Sequence, residues 1–402
     1  MPSDENASHS ASSPPPRSLE HPLPAGMRDL LPAEAASRRA IARTTLERFA
    51  LHGYAVVMLP AFEFADVLER GLGALDPSDI IRFVEPESGE VAALRPDMTP
   101  QIARLIATRL REMPRPLRLS YEGTVLRRRS GRAHKHRQIP QVGVELAGAA
   151  GPEGDLELLA VAADAVRAVG LEKFAIDIGD AGIVRALLAG ASSEVAELVT
   201  AAVARKDAVA LADAARHQPL AHLDELRELT KLQGGRDAIV EGGRLLRATP
   251  AREAMERLSA VFDAAERAGL APSLTVDLGE VRGFAYYTGP IFQLLAPGPG
   301  ESIGSGGRYD DLLGRFGAPM PASGFALDLD RLTLALRVAG AKPTRPQSVV
   351  VVGPPNDARV AEMRHRGVMA VACANHAIAL AYARAWGFTH VLDSDLVEVK
   401  GA

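Results

Sequence analysis

The sequence predicts an α+β fold, and three observations carry that prediction. Strand-like apolar patterning occupies two separate stretches, one ending at "FAIDIGD" and one resuming at "LTVDL". Between them, residues 183–270 are rich in Ala and Leu, carry the helical period, and show no strand signal, so they read as a largely helical insertion. Finally, strand and helix alternate over about sixty residues from Pro343 to the end, behind a linker at "GAKPTRP", which predicts a small C-terminal α/β domain over 341–402. One helical block interrupting a set of strands favours segregated elements over a doubly wound sheet.

The elements follow in order. Residues 1–22 are polar and rich in Ser and Pro, too poor in large apolar groups to offset the entropy of ordering, and are expected to be a disordered tail. A core over 23–340 opens with "AEAASRRAIARTTLERFALHG", apolar at helical spacing and stopped by Gly, then "YAVVMLPAFEF", a strand broken at Pro60. "VAALRPDMT" is a short strand and turn, and "PQIARLIATRLREM" an amphipathic helix with Pro100 in its first turn. After a basic loop, "PEGDLELLAVAADAVRAVG" is a second amphipathic helix. Past the insertion, "GFAYYTGPIFQLLA" reads as a strand, "SIGSGGRYDDLLGRFG" as a Gly-rich turn, and "SGFALDLDRLTLALRVAG" ends in a buried helix.

Composition excludes several classes. With 46 basic and 50 acidic residues, net charge −4, the chain is no general nucleic-acid or membrane-surface binder, though local basic patches can still act. Cys373 is the sole cysteine, so an internal disulfide framework and a Cys-rich zinc site are both excluded. The N-terminus lacks a signal-peptide pattern, and the charge-free run from Gly367 to Ala383 falls short of a membrane span, so a reducing cytoplasm is expected. Neither HExxH nor a P-loop occurs, and no Ser–His–Asp arrangement is visible, so no metal or cofactor is expected. Chemistry would rest on electrostatic positioning of a charged ligand.

Four places could do that. The loop "RRRSGRAHKHR", which begins at Arg127, reads equally as an anion clamp and as a solvated hairpin rim. Asp97 and Thr99 precede a helix, where a plain N-terminal cap is the simplest reading. Gln141, Gly143 and Glu145 alternate on one face of a presumed strand, facing either a site or water. Arg282, Tyr286 and Tyr287 combine a carboxylate-binding fork with phenols; on a continuous strand the two tyrosines would point to opposite faces, so only one could enter a site.

Taken together and in order, these segments resemble histidyl-tRNA synthetase and the class II aminoacyl-tRNA synthetase core. "PAGMRDLLP" resembles that family's N-terminal signature, "VVMLPAFEFADVL" its motif 1, "GTVLRRRSGRAHKHRQIPQVGVELAG" its motif 2, "VRGFAYYTGPIFQ" its histidine-specific segment, and "GGRYDDLLGRFG" with "GFALDLDR" its motif 3. The resemblance implies an antiparallel sheet flanked by helices, dimeric through motif 1. It also implies a histidine pocket with Asp97, Thr99 and Gln141 at the α-amino group, Arg282 at the carboxylate, and Glu145 with Tyr287 at the imidazole; Arg127 and Tyr286 belong to the same segments. A zwitterion bearing an imidazole needs that set of acceptors and one guanidinium.

The nucleotide half departs from the synthetase pattern. Arg127 is kept, but Arg129 stands where the family has a Glu for the adenine amine; Asp328 replaces a Gly, Asp330 a Glu, and Ala285 an Asp, while Arg331 remains. An adenine amino donor finds no acceptor in a guanidinium, and a carboxylate facing triphosphate repels it. A kept amino-acid pocket beside an altered ATP half resembles the ATP phosphoribosyltransferase regulatory subunits, and "LRPDMTPQIAR" especially so. That resemblance implies a non-catalytic subunit of a homodimer within a hetero-oligomer. It would assemble with a short-form ATP phosphoribosyltransferase catalytic subunit, respond to histidine as an effector, and charge no tRNA. The alternative is a divergent histidyl-tRNA synthetase.

Overall fold

The computed structural model describes residues 23–72, 80–127, 136–281, 286–341 and 347–399. The chain opens with helix α1 (Pro32–Leu51) and then the broken strand anticipated at Pro60. Its pieces are β1 (Ala55–Val56) and β2 (Phe62–Phe64), the latter running into helix α2 (Ala65–Leu72). Strands β3 (Arg82–Val84) and β4 (Val91–Leu94) pair with β2 in a three-stranded sheet ordered β2-β4-β3, and helix α3 (Thr99–Arg109) follows with Pro100 in its first turn.

The main sheet is built on a long hairpin of β5 (Leu117–Leu126) and β6 (Gln138–Ala147), in register from Leu117 opposite Ala147 to Leu126 opposite Gln138. Helix α4 (Gly151–Ala168) leads to β7 (Ala175–Asp180). After the helical block come β8 (Gln233–Gly234), β9 (Leu274–Asp277), β10 (Pro290–Leu295), β11 (Gly304–Arg308) and β12 (Ala322–Asp328), followed by the last core helix (Leu329–Val338), which is half-buried rather than buried, since Leu334 and Val338 are exposed. The nine strands are ordered β1-β5-β6-β12-β11-β10-β7-β9-β8. From β5 to β7 every pairing is antiparallel, as expected; parallel pairings enter only near the edges, β1 with β5 and β7 with β9, so the whole is a mixed sheet.

Period-two alternation sorts this sheet onto two cores. Val142, Val144 and Leu146 join Phe49, Leu158, Phe325 and Leu332 on the face covered by α1 and α4. Leu119, Tyr121, Ile139 and Ala147 join Met98, Ile102, Ile106 and Tyr309 on the other face, under α3. Gln141, Gly143 and Glu145 therefore share the α3 face.

Between β7 and β9 the chain is helical over Ala181–Leu187, Ser193–Ala204, Ala208–His217, Leu223–Leu229, Arg236–Leu245 and Arg252–Arg267, as the composition suggests. The exception is β8, a two-residue exposed strand on the sheet edge, too short to leave an alternating pattern in the sequence. The sequence also extended a strand through "GFAYYTG", and there the structure differs. Tyr286 and Tyr287 lie outside any strand, which begins only at Pro290. The pair of apolar-aromatic residues imitates a strand, but Gly289, two residues after Tyr287, packs tightly on the Arg308 side chain.

The C-terminal part is α/β, as expected. Strands Ser348–Val352, Met369–Cys373 and His390–Leu392 are parallel, with Leu396–Glu398 antiparallel at one edge, and helices Ala358–His365 and His376–Trp386 connect them. Among the described residues no helix is long and apolar enough to cross a membrane.

Candidate functional site

Three segments distant in sequence converge on the α3 face of the main sheet. The turn before α3 delivers Asp97 and Thr99, β6 delivers Gln141 and Glu145, and the chain before β10 delivers Tyr286 and Tyr287. Thr99 Oγ1 donates to Glu145 Oε1 at 2.7 Å, and the Tyr286 hydroxyl donates to Asp97 Oδ2 at 2.7 Å. Asp97 Oδ1 also accepts from the Thr99 backbone N–H at 3.3 Å. Asp97 and Thr99 thus do more than cap a helix: Met98 holds the cap position of α3 without a side-chain bond, and Thr99 is its first residue.

The segment is anchored at its base. Arg95 donates to the carbonyls of Leu59, Pro60 and Thr124, and Gln101 donates a further bond to the Pro60 carbonyl at 3.1 Å. The break at Pro60, which costs the β1–β2 segment its continuity, supplies the carbonyl that fixes the start of α3.

Glu145 is 3 % exposed, and among the described residues its Oε2 has no hydrogen-bond partner. Glycines make room for it. A Cβ on Gly324, which pairs with Glu145 across β12, would lie 2.0 Å from Oε2. A Cβ on Gly143 would lie 2.5 Å from the hydroxyl oxygen of Tyr121. Glycine is required at both places because backbone and side chain approach closer than any substituent allows. The three rings of Tyr286, Tyr287 and Tyr309 close one side, with Tyr286 5.0 Å from Tyr287 and 5.5 Å from Tyr309 between centroids.

Burial pushes the Glu145 carboxyl well above the usual carboxylate range; the Asp97 charge adds to this and the Thr99 hydrogen bond opposes it. Burial likewise raises Tyr121, Tyr286 and Tyr287, with the Asp97 and Glu145 charges adding to each. Burial thus favours the neutral form of each of these groups, and the carboxyl and phenols bring both hydrogen-bond donors and acceptors to the pocket. A buried acceptor left without a partner costs about 1–3 kcal/mol, which marks Glu145 Oε2 as a place for a ligand.

The neighbouring region, where the resemblance places nucleotide, is occupied by internal pairs. Asp328 caps the helix Leu329–Val338, accepting from the N–H groups of Asp330 and Arg331 at 2.9 and 3.0 Å. Its Oδ2 lies 3.3 Å from Arg331 Nε. Arg331 also pairs with Glu301 and donates to the Ser302 carbonyl at 2.8 Å. Asp330 holds both Arg28 and Arg38, each at 2.7 Å. Arg127 turns back to the Pro96 carbonyl at 3.0 Å.

Of the anticipated site residues, Asp97, Thr99, Glu145, Tyr286 and Tyr287 are brought together, and Gln141 sits on the same strand face. Both tyrosines enter the site, contrary to the alternation argument, because neither is on a strand. Arg282 and Ala285 lie outside the described residues, as do Arg128, Arg129, Arg132, His134 and Lys135 of the basic loop. Sequence reasoning missed Tyr121, Gly324 and Tyr309. Tyr121 pairs across the hairpin with Gly143, so the hairpin register could have found it. A separate carboxylate trio, Asp177, Asp277 and Glu280, has its oxygens within 4.8 Å of one another, but Lys206 Nζ already lies 2.7 Å from Asp277, which offsets the repulsion without a metal ion.

Fold and pocket together define a class II synthetase-like protein of the histidyl-tRNA synthetase type, and the histidyl-tRNA synthetase family matches residues 26–332. A crystal structure of an ATP phosphoribosyltransferase regulatory subunit/histidyl-tRNA synthetase from Bacillus halodurans C superposes with a TM-score of 0.79 at 28% identity, over 94% of this chain and 99% of that one. Histidyl-tRNA synthetase from Nostoc sp. PCC 7120 shares the fold, with a TM-score of 0.74 at 22% identity over 92% of this chain and 90% of that one. Two curated relatives are named ATP phosphoribosyltransferase regulatory subunit. The one from Geobacter sulfurreducens is 36% identical over 93% of this chain and 88% of its own length; the one from Anaeromyxobacter sp. (strain Fw109-5) is 44% identical over 82% and 96%. The chain belongs to the ATP phosphoribosyltransferase regulatory subunit family.

Proposed function

We propose that this chain is a non-catalytic subunit that assembles with a short-form ATP phosphoribosyltransferase catalytic subunit and binds free histidine in the pocket of Asp97, Thr99, Gln141, Glu145, Tyr286 and Tyr287, with Arg282 at the carboxylate. The observation that carries the reading is the pairing of Arg331 with Asp328 and Glu301. A guanidinium already neutralised by two carboxylates has little field left for a triphosphate. The amino-acid half keeps an unpartnered buried acceptor, so ligand recognition persists where adenylation chemistry does not.

Histidine can regulate only by binding one assembly state more tightly than another. The chain is a homodimer in this proposal. Val56, Met58, Phe62, Phe64, Val84 and Val91 expose apolar surface around β1 and the three-stranded sheet, Met58 to 92 %, and such a patch calls for a partner surface. The core over 23–340, its insertion at 183–270 and the part over 341–402 are proposed as the units of the chain.

The test is ATP–pyrophosphate exchange with histidine, run beside reconstitution with a short-form catalytic subunit. The expected result is no exchange, with phosphoribosyl-ATP formed only when both proteins are present. Exchange at a synthetase-like rate would overturn the proposal in favour of a divergent histidyl-tRNA synthetase.

A further inference from the structure

The helix His376–Trp386 of the C-terminal part runs from Asn375, whose side chain accepts the Ile378 N–H at 3.0 Å, to the left-handed Gly387. Its inner face is closed, with Ala379 and Ala383 fully buried beside Val350, Phe388 and Val391. Its outer face is apolar as well. Ala377, Ile378, Ala381, Ala385 and Trp386 are exposed, Ile378 to 50 % and Trp386 to 54 %. A surface helix ordinarily turns charge outward, and the neighbouring helix Ala358–His365 does so with Glu362, Arg364 and His365.

This outer face consists of two rows. Ala377, Ala381 and Ala385 follow one another at four-residue spacing, and Ile378, half-buried Tyr382 and Trp386 make a row of large side chains beside them. The large row is stiffened, since the Tyr382 and Trp386 rings stack with centroids 5.8 Å apart and planes at 28°. The pattern is its own complement. On a second copy laid antiparallel with Ala381 beside the two-fold axis, Ile378 falls opposite the partner's Ala385, Tyr382 opposite the partner's Ala381, and Trp386 opposite the partner's Ala377, so that large side chains enter gaps between small ones. Charge agrees with shape. Arg384 is exposed near the C-terminal end and pairs with no carboxylate among the described residues, while Asp393 sits at the N-terminal end, 3.3 Å from His376 Nδ1. Antiparallel pairing carries each guanidinium toward the partner's Asp393.

We propose that the helix His376–Trp386 is a self-pairing surface whose occupant is the same helix of a second copy of this chain. One helix pair buries far less than the roughly 800 Å² per partner of a stable interface, so the contact reinforces a dimer held elsewhere, on the same two-fold axis. This rests on the homodimer proposed above.

The experiment is oxidative crosslinking of the full chain carrying Cys373→Ser with either Ala381→Cys or Ala377→Cys, beside light scattering of the wild type. Both alanines are exposed, so neither change disturbs the core. Across the pair the two copies of position 381 are offset by about one residue along the axis and those of 377 by about nine, roughly 14 Å, whereas a disulfide needs Cα atoms within about 7 Å. The expected result is a covalent dimer forming at least about ten-fold faster for Ala381→Cys. A wild type that scatters as a monomer overturns the homodimer and the pairing together. A wild-type dimer with equal crosslinking at the two positions, or none at 381, overturns the pairing alone. So does a thiol at 381 that a maleimide labels freely in the dimer and that is protected only once the catalytic subunit is added, which would give this face to that partner.

Discussion

Tyr286 and Asp97, 189 positions apart, meet in the pocket with the phenol donating to Oδ2 at 2.7 Å. The contact ties the chain before β10 to the turn before α3, so two segments that share no sheet pairing are held in one geometry. Tyr286→Phe should strip a buried carboxylate of its one side-chain donor among the described residues. The expected cost is about 1–3 kcal/mol of stability, read from urea unfolding, with weaker histidine binding. An unchanged unfolding midpoint would show that the bond contributes nothing.

Glu145 gives the pocket a pH signature. Its folded value is raised by burial, so the stability its protonated form contributes is fully present below the unfolded value of about 4.3. That contribution is lost as pH rises through the folded value. Glu145→Gln, neutral throughout and still able to accept from Thr99, removes this loss. Relative to wild type, the variant should gain stability as pH rises from about 4.3, in urea midpoints measured without ligand. The same variant should bind histidine more weakly, since its amide nitrogen stands where Oε2 offers an acceptor to the ring N–H. A constant stability difference across that pH range would refute the protonated carboxyl.

Much of the fold is legible in the sequence because it rests on local rules. The helical period marks α1, α3 and α4, alternation marks β6, and Pro60 marks the break between β1 and β2. Alternation also places Gln141 and Glu145 on one face. What escapes is whatever depends on non-local register. Tyr121 becomes a pocket residue only because Gly143 lies opposite, and Gly324 matters only because β12 sets it beside Glu145. The two tyrosines mislead for a different reason: aromatic residues carry strand propensity even where the backbone turns.

The N-terminal segment depends on one carboxylate. Asp330 receives Arg28 and Arg38, and the Gly26 carbonyl accepts from the Arg137 N–H at 2.8 Å. Asp330→Ala leaves two partly buried guanidiniums without their acceptor. Amides of residues 26–30 should exchange faster with deuterium, while those of β5 and β6 keep their protection. Equal protection in both proteins would place the anchor elsewhere.

The exposed strip around Met58 makes a prediction about mass. Met58→Asp adds a charge where the proposed dimer would bury a thioether, at a cost that an unpaired interface charge cannot recover. Light scattering should report the variant as a monomer where the wild type is a dimer, with the same circular dichroism. Identical masses would move the interface to another face.

Asp328 separates the two functional readings most sharply. As a cap it accepts two N–H bonds, and as a counter-ion it neutralises Arg331, so Asp328→Ala should destabilise the chain by about 1–2 kcal/mol, measured by urea unfolding. Freed of Asp328, Arg331 still pairs with Glu301 and the Ser302 carbonyl. Removing one carboxylate should therefore not restore ATP–pyrophosphate exchange. Exchange appearing in this single variant would mean that one side chain alone blocks an otherwise competent nucleotide site.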